Sequence, residues 1–146
     1  MEGKFNQKEI LESVGMIIAA IKAEIEKVGD PSKVFLGGFS QGCAIVLATY
    51  LHFDGVLGGV YGASGVFSNV VDWSKVDIAA KKSTPVMLYH GDQDQVISLQ
   101  FAQYGQAFLK EKGIDHFEQI VEAGLPHSFS GKEIEVLKAC FAKWMK

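Results

Sequence analysis

The pentapeptide Gly38-Phe39-Ser40-Gln41-Gly42 constrains this chain more than any other stretch. An apolar run, Val34-Phe35-Leu36, precedes it, and a run of small and apolar residues, Cys43 to Leu51, follows it. A serine between two such glycines, with a strand before and a helix after, predicts a sharp strand-to-helix turn. That turn strains the serine backbone and lifts its hydroxyl into the open. Side chains two residues to either side would crowd it, so both positions are expected to require glycine. The Gln41 N–H, at the start of the helix, is expected to point where an oxyanion could form, with the positive end of the helix behind it. The plainer alternative is a Gly-rich strand–helix turn with an idle serine.

A chain of 146 residues fits one domain around one substantial core, so residues 1–146 are expected to form a single unit. Apolar residues make up 48% and charged residues 21%, a balance that favours a packed globule over disorder. A net charge of −3 argues against a nucleic-acid surface. No apolar stretch is long enough to cross a membrane, and the first six residues lack the apolar core of a signal peptide. Cys43 and Cys140 form no C-x-x-C pair and read as idle thiols in a reducing cytosol, so a cytoplasmic location is expected.

Hydrophobic periodicity lays out the rest. Asn6 reads as the N-cap of a helix whose stripe is Ile10, Val14, Ile17, Ile21, Ile25 and Val28; Gly29 caps it and Asp30-Pro31 stops it. Strands are expected at 34–39, 56–61, 85–90 and 117–121. The three later ones are separated by a long mixed connection at 63–82 and an amphipathic helix at 99–112. A last helix carries Ile134, Leu137, Phe141 and Trp144 on one stripe. The second strand shows no polar alternation, which suits a parallel strand covered on both faces. Alternating strands and helices predict an α/β fold with a parallel sheet and right-handed crossovers, and chemistry gathers at the carboxyl ends of such strands. Ser40, Asp94 and His127 each follow an expected strand and so share that edge.

A serine hydroxyl needs a base. His52 and His116 fall at the wrong end of the sheet. His90 ends a strand but abuts an acidic loop. His127 follows the last strand, where it can reach over Ser40, and is the expected base. The orienting acid is Asp92 or Asp94, which spacing alone does not separate; the other is expected to cap the turn. Nucleotide fingerprints fail at Phe39 and Cys43, where a glycine and a lysine would be needed. No histidine–carboxylate spacing suggests a metal.

Three segments, Val34-Phe35-Leu36-Gly37-Gly38-Phe39-Ser40-Gln41-Gly42, His90-Gly91-Asp92-Gln93-Asp94-Gln95-Val96-Ile97 and Gly124-Leu125-Pro126-His127-Ser128, together resemble the acyl-protein thioesterase and carboxylesterase branch of the α/β-hydrolases, the phospholipase/carboxylesterase family. The resemblance implies a three-layer α/β-hydrolase-like fold. It implies a catalytic triad of Ser40, Asp94 and His127, with Asp94 taken as the acid over Asp92. It also implies hydrolysis of carboxylic esters and thioesters, acylated proteins included, without a cofactor. Val66, Phe67 and Trp73, in the apolar connection after the second strand, are candidates for lining an acyl site.

The sequence departs from the family pattern at Cys43, where glycine is usual, and at Ile97-Ser98, where Val-Pro is usual. The larger departure is at the front. The family places early strands and an H-G-x-G loop before the helix that opens this chain, and no H-G-x-G precedes Ser40. The loop's second oxyanion N–H is therefore expected to be missing. The strand at 34–39 is expected to form a bare apolar edge that invites pairing with a second copy. A truncated, weakly active or inactive binding module, or a fragment of a longer enzyme, is the alternative expectation.

Overall fold

The computed structural model describes residues 7–145. Four parallel strands stand in chain order: β1 (Phe35–Phe39), β2 (Gly59–Ala63), β3 (Val86–Gly91) and β4 (Glu118–Glu122). Parallel neighbours require crossovers. These contain α2 (Gln41–His52) after β1, α3 (Ile78–Lys81) after β2 and α4 (Leu99–Glu111) after β3, while α1 (Gln7–Val28) precedes the sheet and α5 (Gly131–Trp144) follows it.

Strand alternation sends side chains to two cores. Val60, Val86 and Leu88 pack with Val46, Leu47 and Tyr50 of α2 and Leu109 of α4. Tyr61, Met87 and Tyr89 face the other way, against Cys140, Leu137 and Trp144 of α5. Every residue of β2 and β3 is buried, which explains their unbroken apolar runs. The α1 stripe lies on α2, with Ile10 and Val14 against Ala48 and Ile21 against Phe53 and Leu57. Gly29, at φ 79°, closes α1 by donating to the Ile25 carbonyl at 2.7 Å. Asn6, the expected N-cap, lies outside the described residues.

Four details differ from the periodicity. The second strand begins at Gly59, because Leu57 N–H donates to Thr84 Oγ1 and Gly58 N–H to the Val34 carbonyl before the ladder starts. The 63–82 connection holds a 3₁₀ turn, Trp73–Lys75, and α3, capped by Asp72 and Asp77 respectively. Val28 is exposed at the end of its stripe. On α5, Ile134 is 47% exposed while Glu133 is 0% exposed. The reason is polar: Tyr61 Oη donates to Glu133 Oε2 at 2.7 Å, and that bond turns the helix so that Glu133, not Ile134, meets the sheet.

Glu133 keeps a second oxygen, Oε1, without a hydrogen-bond partner among the described residues. Burial pushes its carboxyl above the ordinary value, against the opposing pull of the Tyr61 hydroxyl. A raised folded-state pKa stabilises the fold in acid, and that contribution is lost as pH rises from the unfolded value through the folded one. Wild type should therefore lose stability relative to Glu133→Gln as pH climbs above 4.5, by up to about 1.4 kcal/mol per pH unit. Urea unfolding at a series of pH values checks this; a difference between the two proteins that does not vary with pH contradicts it.

Candidate active site

β1 ends at Phe39 and α2 begins at Gln41, so Ser40 alone turns the chain. It does so at φ 59° and ψ −120°, where a Cβ crowds the backbone. Two bonds hold it there. Its N–H donates to the Ala63 carbonyl at the end of β2 (2.8 Å), and its carbonyl accepts from Cys43 N–H (3.0 Å). The turn is tight enough that a Cβ on Gly38 would run into the Gly42 carbonyl. Gly42 differs, since a Cβ there would meet nothing within 4 Å. The expectation that both glycines are required is thus corrected: the close approach is at Gly38, and the space beside Gly42 is open.

Ser40 stands at the N-cap of α2, yet its side chain makes no cap bond. Its Oγ lies 2.9 Å from His127 Nε2. On the far side of the ring, His127 Nδ1 lies 2.7 Å from Asp94 Oδ2. Asp94 has no acid proton to give, so Nδ1–H is the donor, and Nε2 is left to accept from the serine hydroxyl. The three side chains come from the ends of β1, β3 and β4, the edge on which the sequence placed them.

Asp94 is fixed from behind. Its Oδ1 accepts the N–H groups of Val96 (2.9 Å) and Ile97 (2.8 Å), an Asx-type turn. His90 Nε2–H donates to the Ile97 carbonyl at 2.7 Å and lies 3.5 Å from Asp94 Oδ2, so His90 braces the acid loop and does not touch Ser40. Burial alone would raise the Asp94 carboxyl, but the Ile97 N–H, the His127 ring and the Val96 N–H outweigh it and hold it below the ordinary value. Asp92 is exposed and accepts from Gly124 N–H at 2.7 Å, tying the acid loop to the loop after β4; the expectation that the second acid caps the turn is corrected, because Asp94 itself does so through Val96 and Ile97. His52 bonds the Ala48 carbonyl of its own helix, and His116 bonds the Thr84 carbonyl at the opposite end of the sheet.

The acyl-site candidates are packed in. Val66 is buried with Ile97 and Ala102 behind the acid loop. Phe67 lies in the core, with its ring centroid 6.1 Å from Trp73 and 6.0 Å from Phe108. Trp73 Nε1–H donates to Asn69 at 2.9 Å within the segment, and its ring lies 6.2 Å from that of Phe108, so this segment docks on α4 as an ordinary crossover does. Cys43 is buried below the turn, and burial pushes its thiol up to about 12, an inert sulfur beside the half-buried Ser40.

Two features went unread in the sequence. Phe39 sits 5.0 Å from the His127 ring and stacks on Phe129 at 4.9 Å, an aromatic pair beside the imidazole. Ser64, at the end of β2, is with Ser40 one of two non-glycine residues of positive φ among the described residues (54°) and is 0% exposed. Phe39 lies inside the pentapeptide, but nothing in the sequence marks Phe129 as its partner, and Ser64 lies in no motif; pairing requires the fold.

The described hydrogen-bond chain has the form that acyl transfer uses, with a hydroxyl, an imidazole and a carboxylate in line. The sequence pattern of the Phospholipase/Carboxylesterase family matches residues 1–145. The chain belongs to this family. Its relatives in the family include acyl-protein thioesterase 1 of Yarrowia lipolytica, 36% identical over 88% of this chain and 57% of the relative. Carboxylesterase SOBER1 of Arabidopsis thaliana is 33% identical over 97% of this chain and 61% of that protein. The crystal structure of SOBER1 superposes with a TM-score of 0.87 over 97% of this chain and 67% of that one, at 32% identity. The chain therefore spans about three fifths of the length of these curated relatives. Zea mays acyl-protein thioesterase 2 shares the fold, with a TM-score of 0.80 at 18% identity.

The geometry of the turn separates its two glycines experimentally. Gly38→Ala should destabilise the fold by several kcal/mol or prevent folding, since backbone must move. Gly42→Ala should leave the melting temperature unchanged or raise it, because alanine is the better helix former by about 1 kcal/mol. Thermal melts of both variants check this, and equal losses contradict it.

Proposed function

We propose that this chain is a serine hydrolase that cleaves carboxylic esters or thioesters through an acyl-enzyme on Ser40. What carries the reading is the contact of Ser40 Oγ with His127 Nε2 at 2.9 Å, continued from Nδ1 to Asp94 at 2.7 Å. Family membership supports the same class of chemistry.

In the first half-reaction the Ser40 oxygen bonds to the acyl carbon as its proton passes to His127 Nε2. The negative carbonyl oxygen lies toward the Gln41 N–H at the head of α2, and Asp94 stabilises the imidazolium. Collapse expels the alcohol or thiol, which takes the proton from His127. In the second half-reaction water attacks the acyl carbon, giving its proton to His127, and the acid leaves with the serine hydroxyl restored. The Gln41 N–H is the oxyanion donor this reading assigns. Val66, Phe67 and Trp73 would serve the acyl group only if the crossover moved off α4. Substrates are small esters or acylated proteins, no cofactor takes part, and residues 1–146 act as one hydrolase domain. Among the described residues no helix is long and apolar enough to cross a membrane. The two free, buried cysteines suit a reducing compartment, and a cytoplasmic location is part of the reading.

The reading includes a dimer. Ser40 N–H and the Val34 carbonyl bond toward β2, and alternate residues of a strand point their backbone groups to opposite sides. Phe35, Gly37 and Phe39 therefore present their N–H and C=O groups to the open edge, unpaired among the described residues. An antiparallel second copy centred on Gly37 would satisfy all of them, Phe35 against Phe39 and the reverse.

A fluorophosphonate probe tests the whole reading. The protein should elute from a size-exclusion column at the mass of a dimer, and that fraction should be labelled in wild type but not in Ser40→Ala. Asp94→Asn should lower p-nitrophenyl ester turnover about 10⁴-fold, and Asp92→Asn far less. A folded wild type that stays unlabelled, or equal losses at the two acids, defeats the enzymatic part; a monomer at ordinary concentrations defeats the dimer.

A further inference from the structure

His127 lies in the loop between β4 and α5, and the two ends of that loop, Glu122 and Ser130, are eight positions apart. The outgoing limb is tied to the acid loop: Gly124 N–H donates to Asp92 Oδ1 (2.7 Å), and Gln93 N–H donates to the Leu125 carbonyl (3.1 Å). The returning limb is not. Beyond His127, the described hydrogen bonds of residues 128 and 129 stay within the loop, and Phe129 meets Phe39 only by ring stacking.

The returning limb is caught at Ser130. Its Oγ–H donates to Glu122 Oε1 at 2.6 Å, and the same oxygen accepts Tyr89 Oη–H at 2.5 Å. Ser130 Oγ also accepts Glu133 N–H at 3.0 Å, capping α5. One carboxylate oxygen thus joins β3, β4 and the head of α5 and closes the neck of the loop. The chemistry favours a persistent tie. The Ser130 and Tyr89 hydroxyls hold the Glu122 carboxyl below its ordinary value, and the Tyr89 phenol is pushed up to about 12, chiefly by burial and by that carboxylate. Each therefore keeps the protonation state its bond requires, and hydroxyl-to-carboxylate bonds of this length are the strong kind.

We propose that the Tyr89–Glu122–Ser130 clasp is a positioning device for the His127 ring, closing the neck of its loop so that Nε2 stays on the Ser40 hydroxyl. The inference rests on the hydrolase reading above. Glu122, Tyr89 and Ser130 touch none of the reacting atoms; they act through the loop. A catalytic group misplaced by 1 Å costs on the order of 10²-fold in rate.

Three variants test the clasp: Glu122→Ala, Glu122→Gln and Tyr89→Phe. Glu122→Ala should lower kcat and the rate of fluorophosphonate labelling by about 10–100-fold, with KM changed less than about twofold and the fold retained by circular dichroism. Glu122→Gln keeps an acceptor oxygen in place and should recover most of the lost rate. Tyr89→Phe removes one of the two donors and should fall between them, which serves where the alanine variant does not fold. Labelling of Glu122→Ala at the wild-type rate, or a glutamine variant as slow as the alanine one, overturns the clasp while leaving the hydrolase reading intact. An unlabelled wild type defeats both.

Discussion

A parallel strand that hands its chain to a helix within one residue has nowhere comfortable to put that residue's Cβ. Here the residue is Ser40, held at φ 59° by bonds to the end of β2 and to the first turn of α2. The conformation is affordable only because Gly38 carries no side chain where the Gly42 carbonyl passes. The same bend explains why the hydroxyl is not spent on capping α2. It points away from the helix it precedes, and His127 takes its place as partner. Strain at the turn, an uncapped helix head and an available hydroxyl are one structural fact.

The other two members of the constellation are held by different means. Asp94 sits in a self-bonded turn with both backbone donors behind it and His90 bracing the loop, so its place is set locally. His127 rides on a longer excursion whose stability is borrowed from three elements. The two edges of the sheet differ in the same spirit. β4 bears Glu118 and Glu122, with Lys143 paired to Glu118, charges that discourage strand pairing. β1 reads Phe-Leu-Gly-Gly-Phe and has no such protection.

Much of this was legible in the chain. Buried parallel strands announce themselves as unbroken apolar runs, which is why β3 was read nearly to the residue. The turn at Ser40 was visible because Gly38 has a steric cause, the close pass of the Gly42 carbonyl; Gly42 itself has none. What failed was whatever depends on a partner from elsewhere in the fold. The phase of α5 is set by a Tyr61 hydroxyl more than seventy positions away, so a stripe drawn through Ile134 missed Glu133. Phe67 and Trp73 read as candidates for lining an acyl site, and the sequence does not show that Phe108, on another helix, packs against both. Asp92 and Asp94 are equivalent by spacing and are separated only by what each carboxylate touches.

The tautomer of His127 tests the central arrangement most directly. In protein labelled with ¹⁵N-histidine, the ring at neutral pH should carry its proton on Nδ1. That proton should be strongly deshielded by Asp94, and the signal should move in Asp94→Asn and in Ser40→Ala. A His127 ring protonated on Nε2, indifferent to both substitutions, would show that the imidazole is not joined to either neighbour and would remove the basis for catalysis by Ser40.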